Sequence, residues 1–127
     1  MKIIIAGAGE VGFHLAKLLS YESLDITLID IERDRLNYAE GHLDIKTLKG
    51  NACSLSVLKE SDAAESDLLI AVTASESENI IICALAKQLG SKRTIARISN
   101  IEYTNTDNSI SFSDIGVDEL ISPEELA

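Results

Sequence analysis

The chain has 127 residues, with 11 Lys+Arg against 21 Asp+Glu and a formal net charge of −10. That length suits one hydrophobic core, and the charge disfavours nucleic-acid backbones and anionic lipid surfaces as partners. A hydrophobic content of 46% with 25% charged residues excludes a disordered chain, and the longest apolar runs, such as residues 80–86, fall far short of the roughly 18 residues that a membrane-spanning helix needs.

Residues 2–6 (KIIIA) are a nearly all-apolar run, the pattern of a strand covered on both faces, and Gly7, Ala8 and Gly9 end it sharply. From Glu10 to about Tyr21, the apolar residues Val11, Leu15, Leu18 and Leu19 recur at helical spacing and line one face. A second strand is predicted over 24–29, ending at Asp30, followed by a short polar-faced helix over 32–40 closed near Gly41. Residues 45–48 predict a third strand, ended by Gly50, Asn51 and Ala52; a short helix around 55–60 and a fourth strand over 68–72 follow. A longer helix runs from about Ser77 to Leu89, stopped by Gly90, and residues 94–98 form a fifth strand. Residues 99–116 are polar and irregular with room for one helical turn, before a small sixth strand at 118–121 and a stop at Pro123.

Strands alternating with helices at these intervals specify an α/β fold: a Rossmann-type, doubly wound parallel sheet in a three-layer α/β/α arrangement. Residues 1–127 read as one such domain, and the abrupt ending carries the expectation that more chain follows in the natural protein. The N-terminus enters a strand pattern directly, without a signal-type apolar core and cleavage site, so export is not expected. The two cysteines, Cys53 and Cys83, have neither C-x-x-C nor C…H spacing. Neither a disulfide framework nor a metal site is therefore indicated, and the expected setting is the reducing cytoplasm.

The chemistry-bearing constellation is Gly7, Ala8, Gly9, Glu10, Val11 and Gly12, a G-x-G-x-x-G loop placed directly after a strand and opening a helix. Gly7 permits the tight turn, Gly9 lets the backbone approach a pyrophosphate, and Gly12 allows close helix–strand packing. The free N–H groups and the dipole of the helix then face the phosphates.

Asp30 stands at the end of the second strand, where a carboxylate can accept hydrogen bonds from the ribose 2′- and 3′-hydroxyls. The alternative is that it N-caps the next helix, and one carboxylate can do both. A 2′-phosphate beside it is a like-charge contact, so NAD is favoured over NADP, and Ile31 stands where an NADP reader can carry Arg. Arg33 and Arg35 lie close enough to temper that preference; their plainer role is a solvated helix face paired with Glu32 and Asp34.

Enzyme signatures are sparse. Tyr-x-x-x-Lys is absent, because Tyr21, Tyr38 and Tyr103 are followed four positions on by Asp25, His42 and Asp107. No phosphate-binding loop ending in Gly-Lys-Ser/Thr occurs, since Phe13 follows Gly12. About 30 residues remain after the fifth strand, too few to build a substrate domain over a nicotinamide, and the isolated His14 and His42 read as surface or packing residues.

The GAGEVG loop, LID at the end of the second strand, GNA at 50–52, LLIAVT at 68–73, Asn79, ARI at 96–98 and GVDELISPEELA at the end together resemble RCK domains, also called KTN. The likeness covers essentially the whole chain and is nearest to the N-terminal domains of potassium-uptake regulatory proteins. It implies a ligand sensor rather than an enzyme: a domain that binds NAD+ or NADH, or alternatively ATP, ADP or AMP. Such a domain assembles into homodimers or higher rings and gates a membrane potassium transporter or channel subunit from the cytoplasmic side. It would lie at the inner face of the membrane through that partner, without inserting.

By the same resemblance, Gly50, Asn51 and Ala52 approach the adenine, while Thr73 and Asn79 flank the far end of the ligand. Without it, Gly50 and Asn51 are a turn, and Ser75 with Glu78 a helix capping box. Arg97 meets a phosphate, meets a partner subunit, or neutralises local acid. Family members that favour ATP can carry a basic residue in the glycine loop where this chain has Glu10, which places NAD(H) ahead of the adenine mononucleotides. Residues 80–86 are apolar over more than one helix face, which either packs against another subunit or is buried within the domain. The rival functions are the cofactor half of a truncated NAD-dependent oxidoreductase and, more remotely, an S-adenosylmethionine-dependent methyltransferase.

Overall fold

Successive side chains of a strand point to opposite faces, so the run Ile3, Ile4, Ile5, Ala6 must supply two cores at once. The computed structural model, which describes residues 1–104 and 110–122, shows that arrangement. Strand β1 (Lys2–Ala6) sends Ile3 and Ile5 into one buried cluster and Ile4 and Ala6 into the other. All four are at most 2% exposed, so each isoleucine contributes on the order of 2 kcal/mol of burial.

The elements that follow are α1 (Glu10–Ser20), β2 (Asp25–Asp30), α2 (Arg33–His42), β3 (Lys46–Lys49), α3 (Leu55–Glu60), a 3-10 turn at Ala63–Glu65, β4 (Leu68–Ala71), α4 (Glu76–Leu89), β5 (Thr94–Arg97), α5 (Ile101–Thr104), α6 (Phe112–Ile115) and β6 (Glu119–Ile121). The strands form one sheet in the order β3-β2-β1-β4-β5-β6, with every pairing parallel. This is the doubly wound order of a dinucleotide-binding Rossmann sheet, whose winding reverses between β1 and β4. Ala16 of α1 with Leu36 and Ala39 of α2 covers one face. Leu58 of α3 with Ile82, Cys83 and Ala86 of α4 covers the other. Among the described residues, no helix is long and apolar enough to cross a membrane.

Two expectations need correction. Helix α2 does not close near Gly41 but runs through it to His42. Gly41 lacks the positive φ of the glycines that do stop helices here, Gly90 at 126° and Gly116 at 112°, and Leu43, packed against the core, ends the helix instead. The stretch 99–116 holds two short helices rather than one turn. The second is capped by Ser111, whose side chain accepts the Asp114 N–H, and closed by Gly116. Of the two alternatives for the apolar breadth of α4, burial within the domain accounts for Ile82, Cys83 and Ala86, whereas Ile81 is 48% exposed. The predicted stop at Pro123 lies outside the described residues.

Candidate functional site

The carboxyl ends of parallel strands leave unpaired backbone and a crevice where the winding reverses, and ligands of such sheets bind there. A cavity of about 530 Å³ opens at that place, walled by the turn after β1, the ends of β2 and β4, the turn after β3 and Arg97 of β5. Of the residues predicted to contact a ligand, Gly7, Gly9, Glu10, Val11, Asp30, Ile31, Arg35, Gly50, Asn51, Ala52, Thr73 and Arg97 line it. Ala8, Gly12 and Asn79 do not.

The glycine loop takes its shape from three different requirements. Gly7 adopts φ +114°, which L side chains avoid, and a Cβ there would lie 3.0 Å from the backbone of Val72 and Thr73. Gly12 is held to hydrogen at Cα by packing: its Cβ would stand 1.7 Å from the Gly7 carbonyl oxygen. Gly9 is the opposite case, with φ −72° and nothing within 4 Å of an added Cβ, which would project into open space beside the cavity. No side chain caps α1, so its first N–H groups, which helix geometry leaves without internal partners, remain for solvent or a ligand.

Asp30 is buried to 8% exposure, and a buried carboxylate must be solvated by donors. Its Oδ1 accepts the Ala8 N–H at 2.8 Å and its Oδ2 the Glu32 N–H at 2.9 Å. Each oxygen keeps a further lone pair for a ligand hydroxyl. The capping alternative is corrected: the N-cap of α2 is Glu32, without a side-chain cap bond, and Asp30 instead ties the glycine loop to the end of β2. Arg35 pairs with Asp30 Oδ1 at 3.7 Å, not with Glu32 or Asp34. Gly50 has a packing reason of its own, because a Cβ there would meet Val57 Cγ2 at 2.7 Å.

Asn79 is fully buried, and internal contacts occupy both ends of its amide. Its Oδ1 accepts from the Thr73 N–H at 3.0 Å and the Thr73 hydroxyl at 2.6 Å. Its Nδ2 donates to the carbonyls of Thr73 at 3.1 Å and Arg97 at 3.0 Å. It braces the ends of β4 and β5 and leaves the cavity wall to Thr73. The expected capping box is half formed: Ser75 Oγ accepts the Glu78 N–H at 3.3 Å, but the Ser75 N–H donates to Thr73 Oγ1. Glu78 lines the cavity as well as lending its N–H to the cap. Arg97 donates through Nη1 to the Thr73 carbonyl at 3.4 Å. Hydrogen bonds from Ser99 Oγ and the Asn100 N–H hold the Glu76 carboxyl below its ordinary pKa and fasten the start of α4 to the segment after β5.

Residues 3–123 match the TrkA-N domain. The chain belongs to the TrkA-N domain family. The Trk system potassium uptake protein TrkA of Haemophilus influenzae is 43% identical over 128 residues, covering 99% of this chain and 28% of the relative, so the chain spans under a third of that protein. Among solved structures, the TrkA-N domain of inner membrane protein ybaL from Escherichia coli is similar with a TM-score of 0.80 at 19% identity, covering 98% of this chain and 88% of that one. The GsuK channel bound to NAD gives 0.77 at 16% identity, covering 94% of this chain and 21% of that one. At these identities the structural likeness is one of fold.

Within this TrkA-N domain, burial pushes the Cys53 thiol up, with the Glu78 charge adding to the effect, and burial pushes Cys83 up to about 12. Neither is a thiolate nucleophile at neutral pH. His14 is exposed, and His42 stacks on Tyr38 with ring centroids 4.1 Å apart beside Phe13. Neither histidine lines the cavity.

Proposed function

We propose that this TrkA-N domain is a regulatory nucleotide sensor, not an enzyme, which binds NAD+ or NADH and transmits its occupancy to a membrane potassium transporter or channel subunit. The observation that carries the reading is the uncapped start of α1, opening into the same cavity as the buried carboxylate of Asp30. Main-chain amides there receive a pyrophosphate, and Asp30 receives the diol of the adenosine ribose. Gly50, Asn51 and Ala52 flank the adenine, and Thr73 and Arg97 the distal half of the ligand, with Asn79 bracing them from behind.

The residues present fit an adenosine dinucleotide: the space over Gly9 admits a close backbone approach, and Asp30 has acceptor capacity remaining. Glu10 adds negative charge at the phosphate end, which sets a triphosphate behind NAD(H) and leaves ATP, ADP or AMP as the alternative ligand. Support for the regulatory role comes from relatives named for potassium uptake and from a fold neighbour bound to NAD. On this reading the protein acts on the cytoplasmic side of the membrane as a homodimer or larger ring. The rival reading is the cofactor half of an NAD-dependent oxidoreductase.

Regulation requires that the ligand be held more tightly in one subunit arrangement than in another, since equal affinity switches nothing. Calorimetric titration with NAD+, NADH, ATP, AMP and S-adenosylmethionine tests the ligand, and potassium flux in cells carrying the intact protein tests the role. The reading predicts that Asp30→Ala abolishes binding and uncouples flux from the nucleotide pool. Unchanged flux control in a variant that no longer binds would refute the regulatory role.

A further inference from the structure

The ribose end of the cavity pairs one buried charge with one exposed charge. Asp30 is held by two backbone N–H groups at 2.8 and 2.9 Å and is 7% exposed at its side chain, whereas the Arg35 side chain is 55% exposed and meets Oδ1 with one nitrogen at 3.7 Å. That separation exceeds a hydrogen bond, and an ion pair this open contributes little. Asp30 therefore stays anchored whether or not Arg35 is beside it, and Arg35 can leave at small cost. Any group on the ribose oxygen that approaches Asp30 arrives next to this guanidinium, which lines the same cavity.

We propose that Arg35 is a displaceable counter-ion that sets how far the site tolerates a phosphate on the adenosine ribose. It rests on Asp30 when the ribose carries a free diol and turns to the phosphate when one is present. The guanidinium fork suits a phosphate better than the single long contact it makes with Asp30. NADP is then disfavoured by Asp30 but not shut out. Arg33, also exposed, is not part of the cavity wall and has no share in this. The inference rests on the nucleotide-sensor reading and specifies the ligand chemistry of that site.

The test is calorimetric titration of the unaltered chain, Arg35→Gln, Arg35→Lys and Arg33→Gln with NAD+ and NADP+, with melting temperatures confirming that each variant folds. The unaltered chain should bind NADP+ measurably but more weakly than NAD+. Arg35→Gln should weaken NADP+ by roughly tenfold or more, the scale of one lost charge-assisted contact, while NAD+ stays within about threefold. Arg35→Lys should fall between, and Arg33→Gln should leave the ratio unchanged. Equal weakening of both ligands, unaltered NADP+ affinity in Arg35→Gln, or an equal shift from Arg33→Gln would overturn the proposal. So would failure of NADP+ to bind a protein that binds NAD+. If neither dinucleotide binds the unaltered chain, the sensor reading itself fails and takes this inference with it.

Discussion

Two strand-to-helix junctions face the same cavity, β1 to α1 and β4 to α4, and they are finished in opposite ways. At the first, side chains withdraw: glycines occupy the turn, nothing caps the helix, and a Cβ at Gly9 would touch nothing. At the second, side chains supply the bonds: Ser75 Oγ caps α4 through the Glu78 N–H, and Asn79 joins the backbone of Thr73 to that of Arg97. Unpaired amides at a cavity mouth are satisfied only by water or a ligand, whereas a bracket of buried amide bonds is satisfied by the fold itself. The first junction is therefore the part that a ligand finishes, and the second is the rigid wall against which it is held.

Substitutions can break that contrast, and the largest effect should come from Gly12→Ala. Its Cβ would lie 1.7 Å from a backbone oxygen, so the variant should lose about 3 kcal/mol or more of stability, as overpacking does where nothing can yield. Chemical denaturation would read this directly, and a variant as stable as the parent would show that the close contact between α1 and the β1 turn is wrong. Asn79→Ala should come next. It strips buried donors and acceptors of their partners and should cost roughly 2–4 kcal/mol in the same assay, with any loss of ligand affinity following from the loosened wall.

Gly9→Ala reverses the pattern. Thermal melting should barely move, since the added methyl meets only open space, while NAD+ affinity drops about tenfold or more because the backbone can no longer approach a pyrophosphate. A variant that melts early yet binds normally would assign Gly9 to the fold rather than to the site. Ser75→Ala should be the mildest, removing one N-cap bond at a cost of about 1 kcal/mol with ligand affinity nearly unchanged.

The same contrast explains what could be read from residues alone. The alternation of short apolar runs and helical periodicities made the parallel sheet legible, because Ile3 to Ile5 have to serve two faces. The glycine loop was legible because its spacing encodes backbone geometry. Asn79 came only from the family resemblance, and there as a ligand neighbour rather than a brace: its partners Thr73 and Arg97 lie 6 and 18 positions away, and only the folded sheet brings them together. The bond from Ala8 to Asp30 spans 22 positions and was invisible for the same reason. Gly41 misled because a glycine stops a helix only where the chain needs positive φ, and Leu43 had a core to reach instead. Val57 under Gly50 shows that a glycine beside a cavity can be there for packing against the fold.

The most direct measurement is the backbone amide NMR spectrum of the chain during titration with NAD+. The account predicts the largest shifts at the N–H groups of Gly9, Glu10 and Val11, with saturable shifts at Asp30 and Ile31 and small ones at Ser75 and Glu78, whose junction is already complete. Absence of shifts at Gly9 to Val11 at saturating NAD+, or larger shifts at the start of α4 than at the start of α1, would contradict it.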